Sequence, residues 1–211
     1  MTGRLAILGA GGHGRVVADC AECLGWSDIV FFDDNAQARS PGPWALAGTG
    51  EDLLAAVSGF DAFVVGIGIN RIRLVRHHAL IAAGGTATTL IHPAATVSRH
   101  ATVGAGSVVF AGAVVNAGAR IGQACVLNTG CGIDHDDRLA DGVHVSPGAH
   151  LGGGVSVGEA SWIGLGASVR EGTIIGQDVV VGAGTVVVRN LPDCVTVVGN
   201  PARELMRSTD A

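Results

Sequence analysis

The sequence predicts two architectures in series: a small α/β domain with a parallel sheet, then a solenoid of short stacked strands. Two observations carry this. From Ile91 to Val187 every sixth residue is Ile, Leu or Val without a gap, whereas residues 1–86 alternate short apolar runs with segments of helical spacing. Composition agrees: 34 of 211 residues are Gly, 48% are apolar, and the net charge is only −5. That apolar content excludes disorder, and the glycines keep no collagen-like period of three. No apolar run reaches the roughly 18 residues of a membrane span, and no basic run offers nucleic acid a footprint. The N-terminus enters a Gly-rich loop without a signal peptide's cleavage region. A cytoplasmic protein with neither a membrane nor a nucleic-acid partner is expected.

In the first 86 residues, Leu5-Ala-Ile-Leu8 reads as a buried strand that leads into Gly9-Ala-Gly-Gly-His-Gly14. A helix over 14–25 follows, on Val17, Cys20 and Leu24. A second strand, Ile29–Phe32, ends in Asp33-Asp34. Helices are expected over Glu51–Val57 and Asn70–Ala83, and strands over Ala62–Val65 and Thr86–Leu90. Gly9-x-Gly11-x-x-Gly14, with an acid some 19 residues on, matches the dinucleotide fingerprint, whose glycines let a pyrophosphate approach a helix N-terminus. There is room for only one nucleotide half, so a nucleoside diphosphate fits better than NAD. The plainer alternative is a tight turn that needs its glycines for packing.

In the solenoid, each hexad is a strand plus a corner. Three places beyond the aliphatic, Gly dominates, with Asp136, Asp178, Asn190 and Ala among the exceptions; Gly, Asn and Asp tolerate left-handed backbone. Four places beyond, the residue is usually small and fills the bend. Identical strands stack one coil apart, at about 4.8 Å, and bury a column of aliphatics. The five cysteines, Cys20, Cys23, Cys125, Cys131 and Cys194, form neither a disulfide framework nor a complete zinc pattern, and read as buried or half-buried thiols. His77, His78, His92, His100 and His150 read as surface or helix residues.

The chemistry-bearing stretch is Asn128-Thr-Gly-Cys-Gly-Ile-Asp-His-Asp-Asp137, followed by His144. An amine or hydroxyl attacking a thioester needs a base, and an imidazole beside carboxylates suits that task. Each residue also has a plain reading: Asp136 sits where a corner tolerates Asp, and Asn128 and Asp134 simply point outward.

Val103-Gly-Ala-Gly-Ser-Val108, Val181-Gly-Ala-Gly-Thr-Val186 and the tail Val198-Gly-Asn-Pro-Ala-Arg203 resemble the hexapeptide-repeat acyltransferases. That resemblance implies a left-handed parallel β-helix of triangular section with three hexads per coil. In such a coil Asn128 and His144 face outward on one side, one coil apart, while His135 belongs to the next side. A cleft between two such prisms could bring them together, which, with the family's assembly, implies a homotrimer with intersubunit sites rather than a twofold dimer. Gly11-Gly-His13-Gly, Phe32-Asp-Asp34 and Gly68-Ile-Asn-Arg-Ile-Arg73 resemble one subgroup, the bacterial sugar N- and O-acetyltransferases with an N-terminal Rossmann-like domain. The implied domains are 1–86 for the nucleotide sugar, 87–196 for acetyl transfer, and a tail, 197–211, near coenzyme A.

The implied activity is direct transfer from acetyl-CoA, as co-substrate, to the amine of a UDP- or GDP-linked amino sugar, without a metal. By the same resemblance, Gly11, Gly12 and His13 lie along the diphosphate and sugar, Asp33 and Asp34 hold the base or ribose, and Gly68 borders that pocket. His135 is the general base, Asp136 its basicity-raising partner, and Asn128 and Asp134 orient the site. His144 contacts acetyl-CoA near its thioester, with Gly153, Leu165, Ala183, Pro201 and Arg203 along the cofactor. The alternatives are O-acetylation of a sialic acid-type sugar and a non-catalytic nucleotide-sugar scaffold. A γ-class carbonic anhydrase needs histidines five apart, against nine (135 to 144) and six (144 to 150) here. An NAD-linked oxidoreductase rests on the glycine loop alone.

Overall fold

The computed structural model describes residues 3–35 and 41–205. The N-terminal domain is a parallel sheet of β1 (Arg4–Leu8), β2 (Asp28–Phe32), β3 (Ala45–Gly48) and β4 (Ala62–Val65), in the order β3-β2-β1-β4. Its helices are α1 (Gly12–Cys23), α2 (Gly50–Ala56) and α3 (Asn70–Ala82). β1, β2 and β4 are buried on both faces apart from their first residues Arg4 and Asp28, which is why they read as continuous apolar runs, whereas the edge strand β3 is exposed to half-buried. The strand expected over Thr86–Leu90 does not form as such: Ala87 makes one isolated bridge to Phe63, and Leu90 already belongs to the solenoid.

The solenoid is a parallel β-helix of two-residue strands, β5 (Leu90–Ile91) through β21 (Val186–Val187), closed by β22 (Thr196–Val198) and β23 (Arg203–Glu204). Each strand from β5 to β18 pairs in parallel with the one 18 residues on, so Val126, His144 and Trp162 stack along one face while Ile133 and Leu151 stack on another. Three sheets form the sides of the prism. The hexad aliphatics and the small corner residues make one continuous core. Asp136 and Asp178 adopt the left-handed corner conformation, with φ of 63° and 53°. Asn190 does not. The hexad slips there, Leu191 bridges Ile175 two residues short of a full coil, and Cys194 takes the left-handed corner instead.

The two domains share a core: Val17, Ala18 and Ala21 of α1 pack with Leu90, Val108, Phe110 and Val126, outward residues of the first prism face. The start of α3 binds the prism by its corners. Arg73 donates to the carbonyls of Ala124 and Gly142 (both 2.8 Å), and Asn70 Nδ2 donates to those of Ala160 (2.9 Å) and Ser161 (3.1 Å). Arg71 pairs with Glu159 and Asp178. Positions 124, 142, 160 and 178 are successive corners of one edge, one coil apart.

His77 lies on α3, as expected of a helix residue, and is fully buried on its docking side, where its Nε2–H donates to Gln123 Oε1 (3.2 Å). One expectation fails here. Cys23 and Cys194 are exposed, Cys23 at the end of α1 and Cys194 at the slipped corner. No helix among the described residues is long and apolar enough to cross a membrane. Residues 206–211 of the expected tail lie outside the described residues.

Candidate active site

A cavity of about 960 Å³ opens between the carboxyl ends of β1, β2 and β4 and the first prism face. The carboxyl edge is where parallel α/β sheets bind ligands, since the loops there leave a crevice and the helix N-termini point into it. Gly11, Gly12, His13, Asp33, Asp34 and Gly68 line it from the N-terminal domain, and Asn128 and His144 from the prism. The glycine loop divides its labour. Gly9 holds a φ of +109°, and a Cβ on Gly14 would run into the Gly9 carbonyl, so these two serve backbone packing. Gly11 has open space around its Cα, and α1 starts there without a side-chain cap, leaving backbone N–H groups toward the cavity.

The paired acids are partly committed to the fold. Asp33 accepts the Ala10 N–H at 2.7 Å and that of Asn35 at 2.8 Å; Asp34 accepts the Gly50 N–H at 2.7 Å and pairs with Arg76.

His144 is 8% exposed, and its ring stacks on Trp162 at 5.5 Å with the planes 7° apart. Asn128 Oδ1 accepts the Thr129 N–H (2.9 Å), so its Nδ2 donates to His144 Nε2 (3.2 Å). That assigns the proton of a neutral imidazole to Nδ1, which is buried and unpartnered, as is His13 Nε2. The His13 ring lies 6.3 Å away. Burial, reinforced by the charge of Arg73, pulls His144 down to about 3 and His13 to about 4. Both are therefore neutral hydrogen-bond partners at pH 7, not proton acceptors. Arg73 is 1% exposed. It binds the carbonyls of Ala124, Gly142, Ile67 and Gly68 and Asn70 Oδ1, and among the described residues no carboxylate pairs with it.

His135 is elsewhere. It sits past Ile133 on the next prism face, with a side chain 65% exposed, and does not line the cavity. Its Nδ1–H donates to Asp136 Oδ2 at 2.9 Å, which leaves Nε2 to accept a proton. Asp136, then Asp134, holds the imidazole above its ordinary value. Asp134 accepts from Asn116 Nδ2 (2.8 Å) and from the His135 N–H (2.7 Å), which keeps its own carboxyl low. The ring lies over Gly153, where a Cβ would overlap it. Leu165 and Ala183 lie exposed in one corner column, one coil apart, and Pro201 and Arg203 are exposed at the end of the prism. Cys131 is buried, with its thiol raised to about 12 by burial, which removes it as a nucleophile.

Residues 4–80 match the family described as the PglD N-terminal domain. Over 97% of its length the chain is 44% identical to the acetyltransferase domain of PglB from Neisseria gonorrhoeae FA1090, solved in complex with acetyl coenzyme A; that chain is covered completely and the TM-score is 0.92. The chain belongs to the hexapeptide-repeat sugar acetyltransferases. It is an acetyl-CoA-dependent enzyme of that family. PerB from Caulobacter crescentus, solved with CoA and GDP-perosamine, is 36% identical over 98% of this chain and 99% of its own, with a TM-score of 0.91. WeeI from Acinetobacter baumannii AYE, 23% identical with a TM-score of 0.85, shares the fold. No curated protein sequence matches.

Several residues of this sugar acetyltransferase that shape the cavity escape sequence reasoning. Trp162 follows the same outward register as His144, 18 residues later, and that spacing could have flagged it. Asn70 and Arg73 lie three apart on the side of α3 that also carries His77 and Leu80, a shared face whose docking role the helical spacing alone did not mark. Phe110, edge-on to His13 at 5.8 Å, is an aromatic in an outward position with no signal of its own.

Proposed function

We propose that the chain transfers the acetyl group of acetyl-CoA to the amine of a nucleotide-linked amino sugar, UDP- or GDP-activated, with His135 as general base. The observation that carries this is the single cavity joining the open glycine loop to Asn128 and His144. The loop offers N–H donors to a diphosphate, and the two neutral imidazoles offer uncharged polar contacts to a sugar. PerB, solved with GDP-perosamine, supports the substrate class.

His135 lies on a different face from the cavity, so the reading requires a second prism to bring base and acceptor together, as in a homotrimer with intersubunit sites. The amine nitrogen attacks the thioester carbonyl carbon, and His135 Nε2 takes its proton as the tetrahedral adduct forms. Asp136 keeps the other ring nitrogen protonated. The adduct collapses to the amide, and the departing CoA sulfur recovers the proton. Coenzyme A lies along Gly153, Leu165, Ala183, Pro201 and Arg203. Residues 1–86, 87–196 and 197–211 act as acceptor domain, transferase domain and cofactor-side tail.

A thiol-release assay with acetyl-CoA against UDP-, GDP- and dTDP-linked 3- and 4-amino sugars tests this. Turnover on one of them, lost in His135→Ala, is expected. Turnover only on free sialic acid would overturn it in favour of O-acetylation.

A further inference from the structure

Asp137 stands where the prism otherwise buries an uncharged residue, four places beyond the Ile133 aliphatic; the same position holds Ala119, Cys131, Val143, Ala149 and Val155 elsewhere. Its side chain is fully buried, and no cation pairs with it among the described residues. Burial pushes its carboxyl up to about 7. A carboxylate so placed is costly unless its hydrogen bonds are specific.

One of those bonds has no counterpart in the rest of the described solenoid. At each outward position following a hexad aliphatic, from His92 to Arg170, the backbone N–H donates to the carbonyl 17 residues on, as Asn116 does to Ile133 and Asn128 to Val145. The exception is Asp134. Its N–H donates to Asp137 Oδ2 at 2.9 Å instead. The other oxygen, Oδ1, accepts the Val155 N–H at 2.8 Å.

The polar residues Ser107 and Ser161 occupy equivalent interior positions and show the ordinary arrangement. Each accepts the N–H 18 residues on, from Cys125 and Val179, and donates its hydroxyl to the carbonyl 15 residues on, of Gly122 and Gly176. Asp137 repeats the first bond. Its second oxygen, where the serines donate to a carbonyl, instead accepts the peptide N–H of Asp134.

We propose that Asp137 is a positioning residue for acetyl transfer, detaching the Asp134 peptide from the next coil so that His135 projects from the corner in its working orientation. This rests on His135 being the base. The peptide so held joins Ile133 to Asp134, one residue before His135, and Asp134 Oδ1 in turn accepts the His135 N–H. The buried carboxylate therefore sets the backbone on which the imidazole and both flanking acids are hung.

Asp137→Ser tests this, because the prism already accommodates serine at 107 and 161. The variant can bond Val155 N–H and the Gly152 carbonyl, and lets Asp134 rejoin the ladder. The expected result is a fall in kcat of at least tenfold, with KM for acetyl-CoA and for the accepted amino sugar within twofold of wild type. Circular dichroism should be unchanged. In a His135→Ala background the same substitution should cost nothing more. Wild-type kcat, or an equal further loss in the His135→Ala background, would overturn the proposal. Asp137→Thr, following the precedent of Thr173 and Thr185 at equivalent interior positions, is the second variant; loss of fold in both would also overturn it, since the carboxylate would then be holding the prism itself. A His135→Ala enzyme with undiminished kcat would instead refute His135 as base, whatever Asp137→Ser does.

Discussion

Replacing Asp137 by serine should also change how stability depends on pH, in a direction opposite to that of a salt-bridged carboxylate. In the fold its carboxyl titrates at about 7, against 3.8 when unburied, because burial disfavours the charge. Between those values the folded chain retains a proton that the unfolded chain has released. Stability from this group is therefore present at low pH and is lost as pH rises from about 4 to about 7. At a little over 1 kcal/mol for each pH unit, the gap of about three units penalises the fold by ~4 kcal/mol at pH 8, and by ~2 kcal/mol at pH 5. The stability of Asp137→Ser relative to wild type should grow by roughly 2–3 kcal/mol between those pH values. His13 and His144, whose depressed values act in the opposite sense below pH 6.5, are common to both proteins and cancel in the difference. Urea unfolding followed by far-ultraviolet circular dichroism, at pH 5, 6, 7 and 8, measures it. A difference that stays flat across the series would refute the reasoning.

Four further outcomes follow from the same geometry. His135→Ala should lower kcat by roughly 10²–10⁴-fold. Because Asp136 raises His135, the rise of kcat/KM with pH should have its midpoint above 6.5 and move down toward 6.5 in Asp136→Asn; an unmoved midpoint in a pH–rate profile would disconnect the pair. Nitrogen NMR of His144 should report a neutral ring protonated on Nδ1 from pH 8 to pH 5, and titration near 6.5 would contradict its placement. Arg73→Met strips the hydrogen bonds from the Ala124 and Gly142 carbonyls and should destabilise by about 3–5 kcal/mol. A thermal shift equivalent to less than about 1 kcal/mol would mean that solvent replaces the guanidinium.

The solenoid was legible almost residue by residue, because a period of six that never lapses leaves one packing solution and assigns each side chain a direction. That is how register in a coil of three hexads could pair Asn128 with His144 and set His135 apart. The departures have local causes. Strand Ala45–Gly48 carries no β-branched residue, so nothing in its composition marked it, and it forms by pairing with β2. The slip at Asn190 was hidden because the last aliphatics still look periodic. His77 and Arg73 are buried by a contact between domains, and a helix read in isolation does not reveal which of its polar residues will meet carbonyls of another domain. Asp137 was visible as a letter in a run of acids, but its role depends on a backbone bond that is missing from the ladder, and no spacing rule reports a missing bond.

The start of α3 is fastened to the prism like a bracket screwed to a ladder at consecutive rungs, at Ala124, Gly142, Ala160 and Asp178. Rungs added beyond the last screw would lengthen the ladder without touching the chamber. Removing one between the first and second would break the fit. The eighteen residues separating Ala124 from Gly142 include Asn128, and their excision would slide every higher rung by about 4.8 Å against the glycine loop. The chamber's depth is thus counted in whole rungs. Of the two ends of this solenoid, only the far one is free to grow or shrink while the same acceptor still fits.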